Sequence, residues 1–245
     1  TKECKVMRKI IIAIMSISIA IAAVFISLLE FKQEYFAISI FFMVSLSIPA
    51  YFYLIRKTNS KKAIKTIVIL SIFSMIIETV GVLTGFPYGF FFYTPYLGPR
   101  IGVVPWTVSF GWVPLVIASW ALTERILNSQ TSTLKKALMG SVIITIFDLV
   151  LDPGAVALKF WFWHYPGIYY NVPVINFFGW LFSGFIGMAI ILKALKTEKP
   201  NNNLLLTAFF GNIFWTFIAI MNGMVIPIVL GIAITAFLSK IIFLE

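Results

Sequence analysis

Charge is scarce in this chain of 245 residues. Only 11% are Asp, Glu, Lys or Arg, against about a quarter in an ordinary soluble domain. There is one cysteine, Cys4, and one histidine, His164. A single cysteine excludes an intrachain disulfide. One histidine and one cysteine far apart in the chain exclude the common zinc ligand sets. No G-x-G-x-x-G and no P-loop occurs, so no nucleotide fingerprint is present. These residues give no reason to expect a metal or a cofactor.

What is abundant is apolar: 60% of the residues are hydrophobic and 17% are aromatic. The sequence predicts an all-α polytopic membrane protein, a single integral membrane domain over residues 1–245. About 20 apolar residues span a bilayer as a helix. Eight such spans are expected, near 9–29, 35–55, 64–85, 104–127, 134–152, 174–195, 204–221 and 224–243. Residues 10–29 also resemble a signal peptide, but the apolar stretch is long for one, and a retained helix is expected.

The net charge of +10 suggests nucleic acid until the charges are placed. Sixteen of the 19 Lys and Arg fall at the N-terminus, in the 2–3, 4–5 and 6–7 loops, or at the C-terminus. Lys32, Arg100 and Lys159 fall on the other side. The basic surplus is therefore topological. It places both termini in the cytoplasm of a multi-pass protein in the cell membrane. The expected partner is the lipid bilayer and not nucleic acid. The sequence does not give the oligomeric state.

A repeat emerges within these spans. "VPWTVSFGW" begins at Val104 and "VPVINFFGW" at Val172. Each follows a loop with seven aromatics in eleven residues, 86–96 and 160–170. Each loop follows a span with acid in its outer half: Glu78 in the third, Asp148 and Asp152 in the fifth. Parallel repeats in membranes are related by an axis along the membrane normal, with sites at the interface. The expected repeat units are about 64–127 and 134–195, so that spans 3–4 superpose on 5–6.

Glu78 and Asp148 lie about 20 Å from the inner ends of their spans, at about 1.5 Å per residue. Asp152 stands one turn above Asp148 on the same face. Gly81 and Gly85 share the face of Glu78 and permit close approach. Acids at bilayer depth are costly and mark function by default. The alternative is a buried structural network, closed by Tyr hydroxyls, Asn176 or Asn212. The aromatics read as a lid over a cavity, beyond the ordinary interfacial belt. His164 fits a structural or a functional role equally. Pro153-Gly154 is expected to end the fifth span.

An apolar site disfavours a charged carboxyl group, and paired acids in unlike surroundings are a general acid/base signature. Aromatic faces stabilise a cation sheltered from water. Together these suit a long polyene or isoprenoid, protonated to a tertiary carbocation and captured by water. Asp148-x-x-x-Asp152 also suggests membrane prenyltransferases, but the second Asp-rich motif is missing.

"ETVGVLTGFPYGFFFYTPYLGP" from Glu78 and "DLVLDPGAVALKFWFW" from Asp148, with "GIYYNVPVINFFGW" beyond it, resemble the carotenoid 1,2-hydratase family over residues 74–190. The resemblance implies water addition to the terminal double bonds of an acyclic carotenoid, lycopene-like or the C50 chain of bacterioruberin synthesis, and an archaeal membrane. It implies Glu78, Asp148 and Asp152 as the acidic core. Thr84, Tyr88, Tyr93, Arg100, Trp163, Asn176 and Trp180 follow as pocket candidates, beside Trp112 and His164. It does not fix which acid donates. The expectation is Asp148 as the deeper donor, Asp152 positioning water and Glu78 accepting or sharing the proton. A proton-initiated carotenoid cyclase or isomerase, and a proton-coupled lipid carrier, fit the same acids.

Overall fold

The computed structural model describes residues 2–29 and 33–243; Lys32 lies outside them. Eight α-helices are found among these residues: α1 (Lys2–Leu28), α2 (Phe36–Lys57), α3 (Ser60–Thr84), α4 (Val108–Ile126), α5 (Thr133–Ala157), α6 (Val174–Ala194), α7 (Leu206–Met221) and α8 (Val225–Phe243). Six are long and apolar enough to cross a membrane, α7 together with the short 3-10 turn before it. The other two are α4 and α5, whose apolar runs are interrupted by the acids, hydroxyls and basic residues they carry. Large apolar side chains such as Ile14, Phe41, Ile72 and Val229 point outward, as a lipid-facing surface requires. The protein is an integral membrane protein of helical class.

Local chemistry sets the helix ends. Asn59 caps α3 by accepting from the Lys62 amide at 3.1 Å, and Ser132 caps α5 through Lys135. Such caps satisfy amides that have no partner within the helix. Gly85 closes α3 in the left-handed region at φ 77°, where a side chain would be strained.

Helix α5 does not stop at Pro153. It continues to Ala157, five residues past the expected end of the span. A proline inside a helix strands the carbonyl four residues earlier. Here that carbonyl belongs to Leu149, and it accepts from the Tyr169 hydroxyl at 2.9 Å. Gly154 is the contact point for α7: a Cβ there would meet the Trp215 ring at 2.8 Å.

The two aromatic loops form short strands, β1 (Phe91–Tyr93) and β4 (Trp161–Trp163), paired antiparallel. Phe92 stands opposite Phe162, each fourteen residues after its acid, Glu78 or Asp148. Two further short strands, β2 (Arg100–Ile101) and β3 (Val104–Pro105), make a hairpin before α4. At the opposite end, Arg8 reaches the Ile242 carbonyl and Asn203, so both terminal helices end on one side. Lys136 and Glu124 form an ion pair of 2.7 Å there, with the lysine nearly buried. Helix α7 is the most enclosed of those six, packed by α1, α2, α5 and α8.

Candidate active site

Glu78, Asp148 and Asp152 are all buried. Glu78 projects from α3, and its Oε2 accepts from the Tyr93 hydroxyl at 2.8 Å. Tyr93 is, with Phe91, one of the two inward residues of β1, which alternates in and out of the core, as side chains do along a strand. Gly81, three residues beyond Glu78, lets the lid close: a Cβ there would lie 2.9 Å from both Phe91 and Tyr88. Burial raises the Tyr88 and Tyr93 phenols well above their ordinary values. Both tyrosines lie in the loop beyond α3 and keep their protons, so Tyr93 is the donor toward Glu78.

The two aspartates share one partner. Asn176, two residues into α6, donates through Nδ2 to Asp148 Oδ2 at 3.1 Å and to Asp152 Oδ2. The i, i+4 spacing stacks both carboxyls on the α5 face that meets α6. Asn212 takes no part in this network. Its amide bonds α8 instead, at Gly231 O and Thr235 Oγ1, both 2.8 Å.

A cavity of about 150 Å³ opens beside these groups. Glu78, Asp152, Asn176, Tyr88 and Tyr93 contribute the polar groups at one end; Trp112, Trp161, Trp163, Trp180 and Phe91 line it with rings. Asp148 is not on this wall. It lies one turn deeper with one carboxyl oxygen, Oδ1, making no hydrogen bond. Trp112 and Trp180, the last residues of the two repeated motifs, stack at 6.4 Å with planes 22° apart. The Trp163 indole is held by the Tyr88 carbonyl at 2.9 Å.

Three of the residues that the sequence places at the site stand elsewhere. Thr84 is exposed; its hydroxyl returns to Val80 O and accepts from the Phe86 amide, tying the end of α3. Arg100 is exposed and donates to the Tyr93 carbonyl, so it steadies β1 from outside. His164 is exposed at the end of β4, its ring against Phe92, the outward residue of β1. Thr84 and Arg100 flank the first aromatic loop and His164 lies within the second, and none of the three lines the cavity.

Part of the cavity comes from helices that carry no motif. Ile26 of α1, Phe42 and Met43 of α2, and Gly211, Phe214 and Trp215 of α7 give it a largely apolar arm, with Ser39, Thr207 and Asn212 as the polar residues among them. It reaches Ile38 of α2, an exposed residue. The acid end is thus enclosed, and the apolar end runs toward the lipid-facing surface.

Residues 34–238 match the family model described as carotenoid biosynthesis protein. Over 132 residues the chain is 40% identical to the bisanhydrobacterioruberin hydratase of Haloarcula japonica. That match covers 53% of this chain and 45% of the relative, so the chain spans about half the relative's length. No solved structure matches. The family match covers most of the chain: this protein is a member of the carotenoid biosynthesis protein family.

Proposed function

We propose that this protein is a carotenoid hydratase, a hydro-lyase that adds water to the terminal C=C of an acyclic carotenoid. The observation that carries the reading is the cavity itself, with two carboxyl groups on a largely apolar, ring-rich wall inside a membrane protein. The named relative supports the same direction. Asp152 and Glu78 reach the cavity and Asp148 does not, so Asp152 replaces Asp148 as the donor in this mechanism. Protonation of a trisubstituted double bond leaves a tertiary cation. The faces of Trp112, Trp161 and Trp180 stabilise it, as ring faces do for cations. Water adds, and a carboxylate takes the released proton. Asp148 is a positioning residue that shares Asn176 with Asp152.

Size fits the end of a polyene. A cavity near 150 Å³ is on the scale that takes up a benzene-sized group. Its acid end seats the end group, and the long chain leaves through the apolar arm past Ile38 into the lipid. Gly211 lines that arm, and a Cβ there would meet nothing within 4 Å. Gly211→Phe is therefore expected to plug the arm and cut conversion at least about tenfold. Its melting temperature should not fall, because replacing a helical glycine adds up to about 1 kcal/mol of helix propensity. Gly211→Ala should convert normally. Equal activity in all three proteins, measured on pigment extracts beside thermal melts, would place the substrate elsewhere.

The two halves are proposed to be a repeat about an axis along the membrane normal. The support is the antiparallel register of Phe92 with Phe162 and the Trp112–Trp180 stack, both of which a two-fold axis generates. The positive-inside rule puts both termini in the cytoplasm of the cell membrane. A C-terminal green fluorescent protein fusion that stays dark would reverse that orientation.

The deciding experiment is mass spectrometry of pigments from cells making lycopene or an acyclic C50 carotenoid, with and without the protein. Gain of one or two waters is the expected result. An unchanged mass with a shifted spectrum would mean cyclisation or isomerisation. Unchanged pigments in both strains would leave binding or transport.

A further inference from the structure

Three polar atoms beside the cavity make no hydrogen bond: the Tyr88 hydroxyl, the Trp112 indole N–H and the Ser183 hydroxyl. All three residues are buried, with exposures of 2%, 2% and 0%. They also lie together. The Tyr88 ring rests against Gly179 of α6 and the Trp112 ring of α4 against Gly187, with Ser183 midway between the two on the same helix face; the Tyr88 hydroxyl comes close to Ser183 and to the Trp112 indole without the alignment of a hydrogen bond. The stack on Trp180 and an edge contact with Phe73 fix Trp112. Tyr88 and Trp112 are on the cavity wall, and Ser183 adjoins them on α6.

Buried polar groups are almost always paired, and leaving one unpaired is costly. Three unpaired groups from three segments, converging beside an aromatic cavity, define a seat for a small molecule that both donates and accepts. Water is that molecule; a buried water typically has two to four polar partners. We infer that Tyr88, Trp112 and Ser183 seat the water that captures the cation, a site that rests on the hydratase reading. Trp112 can only donate, while each hydroxyl can accept. A water that accepts from Trp112 and donates to Tyr88 and Ser183 keeps one lone pair free. That lone pair forms the C–O bond at the tertiary carbon. The oxonium then loses a proton to a carboxylate of the acid cluster. This restores the proton that the donor gave to the adjacent carbon, and the net change is addition of one water.

The test uses membranes holding the full-length protein, an acyclic carotenoid and D₂O. Tyr88→Phe and Ser183→Ala are each expected to lower alcohol formation at least tenfold. Deuterium should still enter the unhydrated end group, because protonation and its reversal do not need the seat. Full hydration in both variants would overturn the seat. So would loss of deuterium exchange together with hydration at an unchanged melting temperature, since the residues would then serve the substrate. Failure of the unaltered protein to form any alcohol would instead defeat the hydratase reading itself.

Discussion

Replacing Asp152 by Asn lowers hydration by about a hundredfold or more, the usual worth of a positioned general acid, with KM little changed. The amide keeps the shape of the carboxyl and can still accept from Asn176, so the α5–α6 contact survives. What it lacks is a proton acidic enough to transfer to carbon. Asp148→Asn tests the division of labour. It stands behind the wall, and its loss acts through Asn176, so the expected fall is about tenfold and confined to kcat. Kinetics on reconstituted protein, beside melting curves, separate these outcomes. A larger loss in Asp148→Asn than in Asp152→Asn would return the donor role to the deeper aspartate. Full activity in Asp152→Asn would remove it from the chemistry.

The two aspartates show what a sequence can convey. Their i, i+4 spacing and their place in an apolar run mark them without any structure, because a charged group at that depth needs a reason. Gly81 is legible for a similar reason: a glycine on the acid's face leaves room for a ring. Asn176 is legible as a partner, but Asn212, an equally polar residue in an equally apolar helix, turns to α8. Nothing local distinguishes the two.

The failures are long-range. Pro153 predicts a helix end by its missing amide, yet a hydroxyl sixteen residues later, on Tyr169, takes up the stranded Leu149 carbonyl. Thr84, Arg100 and His164 are drawn into the site by nearness in sequence, whereas strand alternation and the outer edge of the loops turn them out. The apolar arm is invisible for the opposite reason. Met43, Phe214 and Trp215 are ordinary membrane-helix residues, and an apolar wall in an apolar helix carries no chemical signal. Ser183 escapes notice because one hydroxyl in a span is commonplace; only its convergence with Tyr88 and Trp112 sets it apart.

Gly179 supports the second large effect. A Cβ at this position would stand 2.7 Å from the Pro87 carbonyl oxygen and 2.9 Å from its carbon, against backbone that has no rotamer to relieve it. Tyr88 packs on the same spot. Gly179→Val therefore has to push the 86–88 turn off α6, and overpacking of this kind costs about 1–3 kcal/mol. The displacement is aimed at the site, because Tyr88 and the Trp163 indole bonded to its carbonyl both line the cavity. Gly179→Val is expected to melt several degrees lower and to lose most hydration even at temperatures where it stays folded. Gly184, on the same helix, is the control. A Cβ there would lie 3.2 Å from the tip of the Ile144 side chain and 3.4 Å from the Ser141 backbone, so Gly184→Ala should act mildly on stability and leave turnover largely intact. If Gly179→Val hydrates at the normal rate with an unchanged melting temperature, the turn is not held against α6 as described. The route from Gly179 to Tyr88 would then carry no weight in the chemistry.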